Sequence, residues 1–317
     1  MSTETQLPRL KFHLVNAFAP TPHSGNQAAV VLFPKDDPRV LDEAYMQSLA
    51  ADFNYADSAF VVPVNAGVHP PEYNIRWFTP TTEVPLCGHA TLATSFILLN
   101  YVHPGEPSVL FHTRMRGDVL ARLEEAGQGG RVAVNLHIAP TATGSPESSQ
   151  LGGIIAEACG FSASDIEQVA TYDLGGPSAL THVAEHVALG DLQVTPSRLL
   201  PRLAADVVVT QLLPPTADTP PDTVRAACRV FGPGLGTDED PVTGSSWAML
   251  TGYYLNGPGS EFTKRFLPAG SDLSRVTLDA RQLSARGGSM TCTLSRDGQA
   301  QLVGQAWRTG HGFLETF

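Results

Sequence analysis

The chain has 317 residues, 42% of them hydrophobic and 16% charged, with a formal net charge of −11. That balance suits a soluble globular protein with a sizeable core and room for two domains, and its acidity speaks against nucleic acid or an anionic membrane as a partner. No apolar run approaches the roughly 20 residues of a bilayer span, and Met1 to Gln6 lack the basic end and apolar run of a signal peptide. A cytoplasmic location is therefore expected. The four cysteines, Cys87, Cys159, Cys228 and Cys292, are widely spaced without a CxxC, which points to free thiols rather than disulfides.

In chain order, residues 10–18 alternate as a strand, and a turn through Pro20, Pro22 and Gly25-Asn26 leads into a second strand ending at Phe33. Residues 41–53 carry helical spacing, then strands are predicted at 59–62 and 73–78. A helix follows Gly88. Three short strands come next near 108–113, 118–123 and 131–137, and the turn-rich, apolar-poor stretch 140–149 reads as a linker. The second half opens with a helix over 151–159 and strands near 166–172, 178–184, 205–213 and 224–231, with an exposed loop at the proline-rich 214–221. A second helix follows Gly244, then strands near 274–279, 289–294 and 300–306 and a short tail.

Two stretches stand apart. Between Val84 and Gly105 there is no Asp, Glu, Lys or Arg, so the helix after Pro85-Leu86-Cys87-Gly88-His89 lacks a charged face and belongs inside a core. From Pro241 to Ser260 there is again no Asp, Glu, Lys or Arg, and the helix there is again entered through a glycine turn, Pro241-Val242-Thr243-Gly244-Ser245. Each half thus has several strands around one uncharged helix, the pattern of a duplication. The amino end of such a helix offers unpaired N–H donors and partial positive charge, which favour a carboxylate ligand. Two such ends facing each other across an interdomain cleft would make a shared anion site.

The candidate chemistry has a bland alternative at each point. Cys87-Gly88-His89 reads either as a buried cysteine, a turn glycine and a capping histidine, or as a thiol and imidazole beside a substrate at a helix end that lowers the thiol pKa. Asp240 reads as a turn or cap aspartate before Pro241. The crowding of Asp238, Glu239 and Asp240 could instead hold one carboxyl partly protonated. Asp57 by itself is an ordinary turn aspartate, and Gly25-Asn26 an ordinary tight turn. A metal is not expected: His182 and His186 have helical spacing without a third ligand and read as a surface pair. No GxGxxG, phosphate-loop or GxSxG pattern is present.

Four segments together resemble the PhzF-like isomerases of phenazine biosynthesis, within the diaminopimelate epimerase-like superfamily. They are Val15-Asn16-Ala17-Phe18 through Ser24-Gly25-Asn26 to Leu32; Asn54-Tyr55-Ala56-Asp57-Ser58-Ala59-Phe60-Val61; Arg76-Trp77-Phe78-Thr79-Pro80 into Glu83-Val84-Pro85-Leu86-Cys87-Gly88-His89-Ala90-Thr91; and Glu239-Asp240-Pro241-Val242-Thr243-Gly244-Ser245. The resemblance implies an α+β fold of two similar domains, each a curved, barrel-like, mostly antiparallel sheet wrapped around a central helix. The expected domains are 1–139 and 150–306 about the linker 140–149, with the tail 307–317 packing back on the first. It also implies a homodimer acting on a small carboxylate-bearing metabolite without cofactor or metal.

In this family an acid, usually glutamate, moves a proton between carbons; that position here is Asp57, one methylene shorter. The assisting histidine and aspartate correspond to His89 and Asp240. Gly88, Gly244 and Ser245 correspond to carboxylate donors and Asn26 to a polar group on the substrate side. Racemases of the superfamily use two facing thiols. Cys87 falls where one would sit and Thr243 occupies the partner position, so both count as substrate-side residues. That leaves a one-sided thiol dehydratase or racemase-type enzyme, and a non-catalytic binding protein of the same fold, as the rival expectations. Ala285-Arg286-Gly287-Gly288-Ser289-Met290 follows the family pattern only loosely.

Overall fold

The computed structural model describes residues 7–65, 67–136, 141–143, 146–173, 177–200, 206–235 and 237–315. The chain divides into two compact units, one of residues 1–23, 27–134 and 305–317, the other of residues 24–26 and 135–304. No helix among the described residues is long and apolar enough to cross a membrane.

The first unit is built from β1 (Leu10–Ala17), β2 (Asn26–Leu32, its first residue in the second unit), α1 (Glu43–Phe53), β3 (Asp57–Pro63), β4 (Glu72–Phe78), β5 (Glu83–Val84), α2 (Gly88–Ile97), β6 (Ser108–Thr113), β7 (Asp118–Glu125) and β8 (Arg131–Leu136, its last two residues in the second unit). β2 and β3 run parallel, β3 and β4 antiparallel, β4 and β6 parallel, and β6, β7 and β8 antiparallel in turn. The last strand of the chain, Ala300–Leu314, pairs with both β8 and β1, and β1 pairs with β2, so the circuit of strands closes. A closed sheet has no exposed edge, and its interior needs a filling of side chains.

That filling is α2. All ten of its residues are buried, and Leu92, Phe96 and Ile97 are 0% exposed, each worth about 1.5–3 kcal/mol on burial. Its hydroxyl residues are accommodated because each donates to the carbonyl one turn back: Thr91 to Cys87 O, Thr94 to Ala90 O and Ser95 to Thr91 O. On the outside, α1 covers Leu10, Val31, Phe60 and Phe78 with Met46 and Ala50. The helix begins two residues later than its spacing predicts because Asp42 caps it, accepting from Tyr45 N at 2.9 Å. Asn54, left-handed at φ 51°, ends it and turns the chain into β3.

The second unit repeats this plan with β9 (Ala142–Thr143), α3 (Pro146–Cys159), β10 (Ile166–Asp173), β11 (Pro177–Val183), β12 (Val207–Leu213), β13 (Thr223–Gly232), β14 (Thr237–Asp240), α4 (Gly244–Asn256), β15 (Thr277–Gln282), β16 (Gly288–Leu294) and the start of β17 (Ala300–Leu314). The senses of pairing repeat as well: β11–β12 parallel, β12–β13 antiparallel, β13–β15 parallel, then β15, β16 and β17 antiparallel. α4 is the central helix here, buried except at Ser245 and Asn256. Its Thr251 donates to Trp247 O as the threonines of α2 do. α3 closes a second core of Ile155, Cys159, Val207, Val209 and Phe231.

Several sequence expectations shift. The helix over 151–159 begins at Pro146, inside the stretch read as a linker, and residues 142–143 of that stretch pair with β10; residues 140, 144 and 145 lie outside the described residues. The strand set at 274–279 runs 277–282, because Asp272 caps a short turn at Leu273–Arg275. The short tail is strand as far as Leu314, registered along the whole of β1. Glycine hid it: a Cβ at Gly312 would stand 2.9 Å from the Phe12 ring, so this strand position needs a residue of low β-propensity.

Candidate functional site

In the first unit, Asp57 opens β3 and Cys87 is the residue immediately before α2, with extended backbone (φ −136°, ψ 110°) and no capping hydrogen bond from its side chain. His89 is the second residue of the helix. Its ring faces both: Nδ1 lies 3.4 Å from Cys87 Sγ, and Nε2 lies 3.8 Å from Asp57 Oδ2. The side chains of His89 and Asp57 are only 4% and 14% exposed, and Cys87 is buried. Gly88 provides the first turn of N–H groups. The structure thus brings Asp57, Cys87, Gly88 and His89 into one constellation at the amino end of a buried helix, where partial positive charge favours thiolate, carboxylate or substrate oxyanion.

In the second unit, Asp240 ends β14 and is held on both oxygens. Asn26 Nδ2 donates to Oδ1 at 2.7 Å and Thr243 Oγ1 to Oδ2 at 2.5 Å, while Asn26 also donates to Val242 O at 3.0 Å. Asn26 and Thr243 are buried and Gly244 and Ser245 begin α4, Ser245 being partly exposed. Five of the residues singled out from sequence therefore share this end: Asn26, Asp240, Thr243, Gly244 and Ser245. The amide nitrogen of Asn26, a residue expected on the substrate side, donates to Asp240 and Val242.

Gln282 was not singled out, yet it ties the turn together. Its Oε1 accepts from Thr243 N at 2.9 Å, and its Nε2 donates to Asp240 O at 2.8 Å and to Thr243 Oγ1 at 3.1 Å. Ser284 Oγ donates to Pro241 O, and Arg286 Nε donates to Gly25 O, each at 2.8 Å. Gln282 is only 1% exposed at the end of β15, beyond the strand expected from sequence, and its partners follow from strand pairing rather than from any local motif.

The expected crowding of Asp238, Glu239 and Asp240 is relieved by strand alternation. Asp238 is exposed, and Glu239 takes a bidentate bond from Arg229, at 2.7 Å from Nε and 2.9 Å from Nη2. The carboxyl displaced toward neutrality lies elsewhere in the unit. Burial first, and the charge of Asp240 second, push Asp206 up to about 7.

The internal repeat explains where Asp206 sits. Arg76 binds Glu83 through Nε and Nη2, both at 2.8 Å, with its guanidinium 5.1 Å from the Phe78 ring. Arg229 does the same with Glu239, 5.2 Å from Phe231. With these pairs matched, Ser58 opposite Phe78 corresponds to Val207 opposite Phe231. Asp57 and Asp206 are therefore equivalent, as are Cys87 and Thr243, Gly88 and Gly244, His89 and Ser245. No spacing in the sequence shows this, because the correspondence is one of strand pairing.

The histidine pair is corrected. His182 is 1% exposed on β11, not on a helix, and its Nδ1 lies 3.2 Å from Tyr253 OH; His186 is exposed and faces Asp165 at 3.3 Å. Alternation puts residue 182 inward and ends the strand before 186. Among the described residues, the one group of three His, Cys or carboxylate side chains close enough to share a cation is Asp57, Cys87 and His89, whose ligand atoms lie within 4.8 Å of one another.

Comparison with known proteins agrees with this architecture. The chain is 31% identical over 304 residues to a Pseudomonas aeruginosa protein named as an uncharacterized isomerase, covering 94% of this chain and 95% of that protein. It is 27% identical over 308 residues to the mouse phenazine biosynthesis-like domain-containing protein 1, covering 94% and 96%. Among solved structures, a phenazine biosynthesis protein of the PhzF family from Enterococcus faecalis matches with a TM-score of 0.71 and 26% identity, over 97% of this chain and all of that one. A hydroxyproline epimerase from Agrobacterium vitis shares the fold, with a TM-score of 0.53 at 12% identity over 98% and 92% of the two chains. Fold and family together support an isomerase- or epimerase-type function. The profile of the phenazine biosynthesis-like proteins matches residues 15–307, so the chain belongs to the PhzC-PhzF family.

Proposed function

We propose that this protein is a cofactor-independent isomerase or epimerase that moves a proton on a small carboxylate-bearing metabolite, with Asp57 as the acid/base that carries it. The observation behind this is the Asp57–His89 approach of 3.8 Å at the amino end of α2. Removing a proton from carbon needs a positioned base and donors where enolate charge develops. Asp57 is the base; the N–H groups of the first turn of α2, beginning at Gly88, are the donors. His89, next to the carboxylate, orients it and steadies its charge. In the second unit the end at Thr243-Gly244-Ser245 offers the same class of donor, and Asp240, fixed by Asn26, Thr243 and Gln282, holds that turn in shape. A base that reaches two carbons of one substrate turns abstraction into isomerisation.

The test is solvent exchange. The protein is incubated in deuterium oxide with a panel of unsaturated carboxylic acids and of D- and L-amino acids, and loss of carbon-bound proton signals is followed by NMR. The expected result is deuterium entry into one class of substrate, abolished in Asp57→Asn with the fold intact. Normal turnover by Asp57→Asn removes the base from Asp57.

A second reading is favoured by the 3.4 Å approach of Cys87 Sγ to His89 Nδ1, the geometry of a thiol activated by imidazole. Exchange that survives in Cys87→Ala eliminates it. Tight capture of a ligand without exchange, unaffected by Asp57→Asn, identifies a binding protein of the same fold.

A further inference from the structure

We propose that Asp57, Cys87 and His89 form a binding site for a thiophilic divalent cation of the Zn2+ type. The donor set carries the inference: one thiol sulfur, one imidazole and one carboxylate, the ligand types that zinc takes, all within 4.8 Å of one another. The His89 Nε2 atom lies 4.0 Å from Cys87 Sγ and 3.8 Å from Asp57 Oδ2. Zn–S bonds of about 2.3 Å and Zn–N and Zn–O bonds of about 2.0–2.2 Å set tetrahedral edges of roughly 3.4–3.6 Å. The two edges at His89 therefore close by about half an ångström around the ion, and the edge between Cys87 and Asp57, no longer than 4.8 Å, by about 1 Å at most. Three protein ligands leave a fourth position for water or for a carboxylate oxygen.

The charge balances. On binding, the Cys87 thiol gives its proton to solvent, and one thiolate plus one carboxylate neutralise the dication beside a neutral imidazole. The positive end of α2 opposes a cation but favours the thiolate that binds it, and the largely buried setting strengthens both attractions over those in water. A thiolate ligand also selects against Mg2+ and Ca2+, which take oxygen donors.

The internal repeat shows that the fold does not require these donors. At equivalent positions the second unit has Asp206, Thr243 and Ser245, and the same strand–turn–helix forms without sulfur or imidazole. The remaining thiols are unsuited: burial pushes Cys159 and Cys292 up to about 12 and raises Cys228 well above its ordinary value. Cys87 is the thiol with imidazole and carboxylate beside it. In the proton-shuttle reading proposed above, on which this consequence alone rests, an ion on Asp57 Oδ2 removes the base, so the cation-loaded protein is inactive.

The experiment uses Co2+ as the probe, added to the full chain after treatment with a chelator. Binding is expected to produce the intense near-ultraviolet thiolate-to-cobalt band and visible bands of a tetrahedral centre, removed by stoichiometric Zn2+ and unaffected by excess Mg2+. Cys87→Ser should abolish the near-ultraviolet band, and His89→Gln should weaken Co2+ binding by more than the roughly 10–100-fold that losing an outer-shell partner costs. Cys159→Ser should leave the spectrum unchanged. Absence of the band from the wild-type protein overturns the site, and so does its persistence in Cys87→Ser. Should the buried Cys87→Ser protein fail to fold, retention of the full band and affinity in both His89→Gln and Asp57→Asn overturns it equally. A missing band with intact deuterium exchange removes the cation site and leaves the isomerase; a cobalt band together with no exchange by the metal-free protein does the reverse.

Discussion

Asp57 and Asp206 occupy the same step of a repeated strand: each immediately precedes the residue paired with a phenylalanine, Ser58 with Phe78 and Val207 with Phe231. Their surroundings have diverged. Asp57 faces His89, whereas Asp206 faces the negative charge of Asp240, with the buried phenol of Tyr172 close enough to sense it. One repeat sets its carboxyl beside an imidazole; the other favours a carboxyl that keeps its proton.

Asp206 therefore sets a pH dependence of stability. Its carboxyl moves from an ordinary 3.8 in the unfolded chain to about 7 in the fold. Between those values the folded state binds the more protons, so this contribution is fully present below pH 3.8 and is lost as pH rises to 7. Asp206→Asn, neutral throughout, is expected to flatten that decline and to melt above the wild type at pH 8. Thermal midpoints of both proteins from pH 4 to pH 8 measure this, and parallel curves would remove the raised carboxyl from Asp206.

Much of the fold was legible because burial leaves a mark on composition. A helix filling a closed sheet cannot carry charge, and the charge-free stretches after Val84 and Pro241 located α2 and α4 directly. Asp57 had no such mark. A turn aspartate and a base are the same residue type, and only the resemblance of Asn54-Tyr55-Ala56-Asp57 to a known family separated them. Asp206 and Gln282 were missed for a different reason: their positions follow from which strands pair and in what register, a property of residues far apart in the chain. His182 was misplaced because its i,i+4 spacing to His186 also fits a strand running into a turn.

Arg229 and Glu239 make a pair whose halves depend on each other. The guanidinium is bidentate to Glu239 and also donates to Leu192 O at 2.7 Å, with the two side chains 11% and 22% exposed. Arg229→Met leaves Glu239 without its counter-charge in a mostly buried place, and a loss of about 3 kcal/mol is expected. Combining it with Glu239→Leu should recover most of that loss, since a well-packed apolar pair often replaces a buried ion pair without cost. The exposed Lys264–Glu261 pair is the control, and Lys264→Ala should leave the midpoint unmoved. Denaturant unfolding of the four proteins decides; a double variant no better than Arg229→Met alone refutes the mutual dependence.

Gln282 acts on the turn that carries Asp240. Replacing it by leucine takes the acceptor from Thr243 N and the donor from Asp240 O, both within a buried turn. The expected cost is about 1–3 kcal/mol per buried group left unsatisfied. Amide hydrogen exchange at Thr243 reads the effect directly: protection should fall there in Gln282→Leu and stay unchanged at Thr91, in the first unit's helix. Equal loss at both sites would mean global destabilisation rather than release of the turn.

His13 sets the acid limit of the first unit. It is 0% exposed on β1, and neither ring nitrogen has a hydrogen-bond partner among the described residues. Burial, then Lys11, Arg308 and His311, lower it from 6.5 to about 4. The unfolded state binds the more protons between those values, so the stabilisation is present above pH 6.5 and is lost as pH falls to 4. His182, lowered by burial and Arg265 to about 3, adds a loss of the same sign that continues further into acid. His13→Gln cannot take up the proton, and its melting curve between pH 6.5 and pH 4 should fall less steeply than that of the wild type, whatever its midpoint at neutral pH. The remaining slope should shrink again when His182→Gln is added, since the two rings lie in different units and share no partner. An acid limb as steep in His13→Gln as in the wild type would show that His13 is not the group that charges on unfolding.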